Sequence, residues 1–164
     1  MKPTVTHILF TTDLSENSTY ALRHAASMAE ATGAKLHVLH VSEPLSDDAR
    51  ITMMMFMQDK GSRQDAMQTR TEHVKAVLEE RQKAFWAAMP DEDRTIQDQI
   101  DSIEVIEGHV AEVILRRSTE LGCDLIVLGA HNHGFSQTFL GSVAKRVLRR
   151  ATIPTLVVPY RADK

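Results

Sequence analysis

A continuous apolar run, Asp124-Leu125-Ile126-Val127-Leu128-Gly129, is bounded on both sides by turn-forming residues. A strand that is apolar at every position is buried on both faces, which is typical of a parallel sheet. Four more strand-like runs lie at 5–10, 36–41, 102–106 and 154–159, and helical patterns separate them. The order β-α-β-α-β-α-β-α-β predicts an α/β fold with a doubly wound parallel sheet and helices on both faces.

Helix boundaries are marked by capping and breaking residues. Ser15 fits the N-cap of the first helix and Gly33 its stop. A long amphipathic helix is predicted from about residue 67 to Pro90, and Gly122 should end the helix after the third strand. Residues 42–66 are the least regular stretch: a strand there is not excluded, but no alternation of apolar residues supports one.

Length and composition restrict the class of protein. The 164 residues fit a single domain over 1–164, and the net charge of −3 indicates neither a nucleic-acid nor a membrane partner. No signal segment precedes the first strand, and the apolar runs are too short to cross a bilayer, so we expect a cytoplasmic protein. The one cysteine, Cys123, excludes an intramolecular disulfide and has no cation beside it to activate it.

The loop after the first strand, Thr11-Thr12-Asp13-Leu14-Ser15, lies at the edge of the sheet where such folds bind ligands. Asp13 could accept hydrogen bonds from a ribose or from an adenine amino group. The same residues also fit a purely structural role, in which Asp13 and Ser15 satisfy the free amides of the following helix.

The loop after the fourth strand spans residues 129–142 and contains three glycines. Glycine allows close approach of the backbone to a phosphate, and Gly141-Ser142 opens a helix whose free N–H groups favour an anion. His131 could donate a hydrogen bond to the same phosphate. The structural alternative is that Ser142 is only an N-cap and that the glycines only turn the chain.

Taken together, these segments resemble the universal stress protein family. The resemblance runs nearly end to end and is weakest across residues 43–100. The segments that carry it are 8–18, 39–41, 105–108, 123–129, 140–150 and 153–159.

The resemblance implies a five-stranded sheet in the order 3-2-1-4-5, of the adenine nucleotide alpha-hydrolase-like type, and a homodimer formed through the last strand. It also divides the family into members that bind ATP, which carry Gly-x2-Gly-x9-Gly-Ser/Thr after strand four, and members that do not. Gly129 and Gly141-Ser142 match the ends of that motif. Asn132 stands where the middle glycine is expected, and eleven rather than twelve residues separate the outer glycines.

The function implied is a stress-response protein that binds ATP or AMP as a regulatory ligand, with Mg if the ligand is ATP. The alternative is a member that binds no nucleotide and acts as a protein–protein interaction module; a third hypothesis is a phosphoprotein modified at Ser142 or Thr138. The residues predicted to bind nucleotide are Thr11, Thr12, Asp13, Val41, Gly129, His131, Asn132, Gly134, Gly141, Ser142 and Val143.

No catalytic residues are predicted, because no Ser-His-Asp order and no paired carboxylates can be assembled. At most we expect slow ATP hydrolysis or autophosphorylation. His131 and His133 lack a third ligand, so no metal site is predicted. The run of methionines at 53–57, interrupted by Phe56, fits an adaptable surface for partners. The alternative is a helix packed over the sheet edge or a mobile loop, which we favour because methionines often fill gaps in cores.

Overall fold

The computed structural model confirms the predicted fold class. The sheet has five strands in the order β3-β2-β1-β4-β5, and every neighbouring pair is parallel. The residues that the structure describes are 4–14, 16–57, 59–88, 91, 97–130 and 140–159. The strands are β1 (His7–Thr12), β2 (Lys35–Ser42), β3 (Ile100–Glu107), β4 (Leu125–Gly129) and β5 (Thr155–Val158).

Five helices lie between the strands in the described part of the chain. Their bounds are α1 (Glu16–Thr32), α2 (Asp47–Phe56), α3 (Lys60–Ala88), α4 (Val110–Glu120) and α5 (Ser142–Arg150). The stops predicted at Gly33 and Gly122 are confirmed, since both residues adopt the left-handed conformation, with φ of 70° and 63°. Ser15 and Pro90, predicted as helix boundaries, lie outside the described residues. None of the helices described is long and apolar enough to cross a membrane.

The core is divided by the sheet into two layers. Successive side chains of a strand point to opposite faces, so Ile8 and Phe10 pack beneath α1 while Leu9 between them packs beneath α4 and α5. The four residues Leu125 to Leu128 of β4 are all buried, as predicted for a central strand. From α3, Leu78 is buried against the α1 side. The parallel pairing of β1 with β4 places the carboxyl ends of these two strands next to each other.

The stretch 42–66 forms helix rather than strand. The predicted start of the long helix near residue 67 is wrong by about two turns, because α3 begins at Lys60. Asp59 caps it: its Oδ2 accepts from the backbone N–H of Ser62 at 3.1 Å and from its hydroxyl at 3.2 Å. Gly61 and Ser62 therefore lie inside the first turn, although they are typical of a loop.

The methionine run does not fill the core. It lies on α2, which has no buried residue, and Met54, Met55 and Phe56 are exposed by 58, 70 and 83%. The preferred prediction, a helix packed over the sheet edge or a mobile loop, is therefore wrong, because the segment forms an exposed helix. The physical reason is that α1, α4, α5 and the turn of α3 around Leu78 already supply the buried apolar residues that cover the two faces of the sheet.

Gly108, directly after β3, permits a close approach of α4. A Cβ at this position would lie 2.8 Å from Cγ2 of Val113, a stiff and buried side chain. We expect Gly108→Ala to lower the free energy of unfolding by about 1 kcal/mol through overpacking. Urea unfolding measures it. In a Val113→Ala background the cost should shrink but not vanish, because the φ of 159° still strains an alanine at position 108. An undiminished cost there would show that the contact with Val113 is not responsible.

Two imidazoles pair at the amino-terminal edge of the sheet. His37 is 3% exposed; its Nε2 lies 3.0 Å from His7 Nδ1 and its Nδ1 lies 2.9 Å from Ser102 Oγ. The rings stack with centroids 5.3 Å apart. Burial lowers the pKa of His37, and His7 lowers it further, while the carboxylate of Asp101 acts in the opposite direction. His37 is therefore held as the neutral imidazole in the folded protein.

This burial predicts an acid-sensitive fold. Because the pKa of His37 is lower in the folded than in the unfolded state, the unfolded state binds more protons, and the free energy of unfolding should fall as the pH drops below about 6.5. Urea unfolding between pH 8 and pH 5 measures the slope. His37→Leu should flatten it, and a slope unchanged by that substitution would contradict the prediction.

Candidate functional site

The order of the strands indicates where in the sheet a ligand site is expected. The connections from β1 run outward to β2 and β3, and the chain then crosses back to β4 on the other side of β1. Ligands of doubly wound sheets bind at such a reversal, outside the carboxyl ends of the strands. The two loops singled out in the sequence both lie there, because β1 ends at Thr12 and β4 at Gly129.

The loop after β1 is a tight turn organised by a hydroxyl group. Thr12 Oγ1 accepts a hydrogen bond from the backbone N–H of Leu14 at 3.0 Å and contacts the hydroxyl of Ser18 in α1. Leu14 has a φ of 66°, a left-handed conformation that costs a non-glycine residue roughly 1 kcal/mol or more. Asp13, between them, is exposed at the rim of the site.

A histidine joins the ends of β1 and β2. His40 Nδ1 lies 2.8 Å from the backbone carbonyl oxygen of Thr12, and since a carbonyl only accepts, Nδ1 carries the proton and donates. The bond fixes the imidazole and ties Thr12 to the strand that carries Val41. The side chain of Val41 is 7% exposed and packs in the core, so this residue can offer a ligand mainly its backbone.

The two ends of the second loop are pinned together. The backbone N–H of Gly141 donates to the carbonyl oxygen of Ala130 at 3.0 Å, and the N–H of Ala130 donates to that of Val158 at 2.8 Å. Gly129 and Gly141 are thereby held at the same edge of the sheet. His131, Asn132 and Gly134, also predicted to bind nucleotide, lie outside the described residues.

At the amino end of α5, the N-cap residue makes no side-chain hydrogen bond to the first-turn backbone N–H groups. Gly141 is the N-cap and Ser142 the first helical residue, so the alternative in which Ser142 caps the helix is wrong. Gly141 has no side chain to accept the first-turn N–H groups of Ser142, Val143 and Ala144, and α5 has no acidic residue in its first turn. These donors and the positive end of the helix dipole form an environment suited to an anion.

Two further kinds of chemistry, a nucleophilic thiol and a metal centre, were considered at the described residues. Burial, with a smaller contribution from the charge of Asp124, raises the pKa of the Cys123 thiol to about 11. This cysteine is therefore not an activated nucleophile. Among the described residues no group of three histidine, cysteine or acidic side chains is placed to hold a metal ion. The backbone donors at this edge of the sheet are compatible with a polar, anionic ligand.

Thr12 was predicted as a site residue, but the role of its hydroxyl, which organises the β1 turn together with Ser18, was not. His40, which joins that turn to β2, was missed. The position of His40, directly before Val41 at the end of a strand, was a signal that could have been followed.

Comparison with known proteins identifies the family. The model of the universal stress protein family matches residues 4–159. This chain belongs to that family. Universal stress protein G of Shigella flexneri is 30% identical to the chain over 143 residues, which cover 87% of this chain and 89% of that protein.

Solved structures of family members share the fold. Universal stress protein MJ0577 of Methanocaldococcus jannaschii superposes with a TM-score of 0.63 at 21% identity, covering 98% of this chain and 100% of that one. A universal stress protein solved in complex with cAMP gives a TM-score of 0.61 at 21% identity, covering 95% of this chain and 98% of that one. Both likenesses concern the whole α/β architecture of this universal stress protein.

Proposed function

We propose that this universal stress protein binds an adenine nucleotide, ATP or AMP, as a regulatory ligand at the carboxyl ends of β1 and β4. The observation that carries the proposal is the start of α5, where the N-cap Gly141 has no side chain to cap the helix and is pinned to the end of β4 beside the turn that presents Asp13. The cAMP complex of a related family member adds support from a ligand of the same chemical class.

Most of the predicted residues that the structure describes have a role in this proposal that follows from their position. The N–H groups of Ser142 and Val143 bind the phosphates, and the Ser142 hydroxyl adds a donor. The exposed carboxylate of Asp13 accepts from the ribose hydroxyls, and the backbone of Val41 borders the base. Thr11, Thr12 and Gly129 form the floor at the strand ends. When the nucleotide is ATP, Mg²⁺ would neutralise part of its phosphate charge.

Binding of this kind points to a switch rather than an enzyme. We infer that nucleotide occupancy changes the conformation of the protein or its choice of partner, with hydrolysis slow or absent. We further propose a cytoplasmic homodimer formed through β5, which lies at the edge of the sheet and whose Leu156 and Val157 are only half-buried in the single chain. Sedimentation should then give twice the chain mass of 18.4 kDa.

A thermal-shift titration with ATP, ADP and AMP, each with and without Mg²⁺, tests the nucleotide proposal. A ligand at about 100 times its Kd stabilises the folded state by roughly 2.7 kcal/mol, which raises Tm by several degrees in a domain of this size. Asp13→Ala should reduce the shift. If millimolar nucleotide leaves Tm unchanged, the proposal fails.

The second candidate function is an interaction module that works without nucleotide. One observation favours it: α2 exposes Ile51, Met54, Met55 and Phe56, four apolar side chains within six residues. Exposed methionines adapt to the shapes of partners. Nucleotide bound to protein purified from cells would count against this candidate.

A further inference from the structure

We propose a second ligand site, separate from the nucleotide site, that binds an aliphatic carboxylate in a cavity between α2 and the first turns of α3. The cavity has a volume of about 430 Å³, within the range of small-molecule sites. It opens beyond the ends of β2 and β3, whereas the nucleotide site lies at β1 and β4 and takes from β2 only the backbone of Val41, which does not line the cavity. The two sites therefore share neither loops nor the residues predicted to bind.

The walls of the cavity are mainly apolar. Described residues from the β2–α2 loop, α2 and α3 supply them, and none is aromatic. Without an aromatic ring to stack on, a nucleobase gains little here, while flexible thioether side chains mould closely around an aliphatic chain. The apolar wall residues are Pro44, Leu45, Met53, Met54 and Met67.

Two arginines give the cavity its charge. Neither Arg50 nor Arg63 forms an ion pair with any residue that the structure describes. Arg63 Nε is buried and has no hydrogen-bond partner among the described residues. Asp59 acts on Arg63 through space, but its Oδ2 already accepts two bonds from Ser62. A buried guanidinium N–H without an acceptor is costly, and a ligand carboxylate would satisfy it.

The third charged residue in the wall, Glu107, is neutralised by an ion pair. Glu107 is paired with Arg70, whose Nη1 lies 3.4 Å from Glu107 Oε2, and Arg70 Nη2 donates to the backbone carbonyl oxygen of Glu43 at 2.9 Å. This bridge ties α3 to the ends of β2 and β3. The net charge facing a ligand is therefore positive, and the combination of apolar wall and positive group matches an aliphatic chain with a carboxylate head.

Calorimetric titration with decanoate, kept below its micelle concentration, tests the proposal. Saturable binding of decanoate is expected, with decanol at least about tenfold weaker because it lacks the charge. Arg63→Gln and Arg50→Gln should each weaken decanoate by about tenfold while the far-ultraviolet circular dichroism stays unchanged. Phe56→Ser is the matched control, since Phe56 lies on α2 but does not line the cavity. Millimolar ATP should not change the affinity for decanoate, whether or not ATP itself binds to the protein.

Methyl NMR locates the ligand independently of the arginine variants. With ¹³C-labelled methionine methyl groups, decanoate should shift Met53, Met54 and Met67 and leave Met55, which is exposed on the same helix, and Met28, which packs under the sheet, unchanged. No saturable heat, equal affinity for decanol, or equal affinity in Arg63→Gln would overturn the proposal. So would loss of binding in Phe56→Ser, since that would place decanoate on the exposed face of α2.

Discussion

Replacing Gly141 by valine is expected to raise the dissociation constant for ATP by about tenfold or more, equivalent to roughly 1.4 kcal/mol. Gly141 is buried at the N-cap of α5, next to the N–H groups that would hold the phosphates. Its φ of −62° and ψ of 158° are accessible to valine, so the backbone itself is not strained. The branched side chain would occupy the space in which a phosphate meets those donors.

Calorimetric or thermal-shift titration of the variant measures the loss. Ser142→Ala is the matched control: it removes one hydroxyl and keeps every backbone donor, so we expect its dissociation constant to change by only about threefold. Stability without nucleotide should fall in Gly141→Val by no more than about 1 kcal/mol, the difference between glycine and an apolar residue at an N-cap. Wild-type affinity in Gly141→Val would show that nucleotide binds elsewhere or without the α5 terminus.

Removing the carboxylate of Asp124 is expected to have the largest effect on stability. Asp124 Oδ2 accepts from the backbone N–H and hydroxyl of Thr6, both at 2.7 Å, and from the N–H of His7 at 3.0 Å. These bonds tie the segment before β1 to the start of β4. Hydrogen bonds to a charged acceptor are individually strong, so Asp124→Ala should lower the free energy of unfolding by about 2–3 kcal/mol at pH 7.

The same bonds predict a pH dependence. The hydroxyl and N–H of Thr6, followed by the N–H of His7, hold the pKa of Asp124 below its usual range. A lowered folded-state pKa gives stability that is complete above about pH 4 and is lost as the pH falls through the folded value. The difference between wild type and Asp124→Ala should therefore shrink between pH 5 and pH 2 in urea unfolding.

Glu112→Ala supplies the control for loss of an acidic side chain. Its carboxylate is 3.9 Å from Arg150 and both side chains are largely exposed, so the expected cost is less than about 1 kcal/mol. A cost for Asp124→Ala no larger than for Glu112→Ala would contradict the role assigned to the Thr6 bonds.

The sequence was most informative about the fold where burial dictates residue type. The run Leu125–Gly129 could only be a central strand, and the stops at Gly33 and Gly122 followed from the need for a left-handed residue. It was least informative across 42–66. There Asp59 caps a helix whose first turn contains Gly61, and local composition cannot show that such a residue lies inside a helix rather than in a loop.

The methionine run shows the limit of composition in a different way. Met54 and Met55 are apolar residues of the kind often found in cores. Whether their helix is buried depends on whether the other helices leave part of the sheet uncovered. That question concerns the whole fold. Burial of Leu78 on α3, and not of the apolar residues on α2, is the outcome that no local pattern could have distinguished.

The loops of the candidate site could be predicted from the sequence, but the contacts that fix their conformation could not. The Asp13 loop and the Gly141-Ser142 helix start were placed from the sequence at the ends of β1 and β4, where the structure has them. The left-handed Leu14 was not foreseen, because a leucine gives no local signal for a positive φ. The bond from His40 to Thr12 was not foreseen, because it depends on how β1 and β2 pair.

Isothermal titration of the wild-type protein with ATP and Mg²⁺ tests the central claim most directly, since it needs no variant and no change in stability. We predict a saturable heat, with one nucleotide bound per chain and a dissociation constant in the micromolar to millimolar range. Absence of saturable heat for ATP, and then for AMP, up to millimolar concentration would contradict nucleotide binding. The function of this universal stress protein would then have to be sought in its protein contacts.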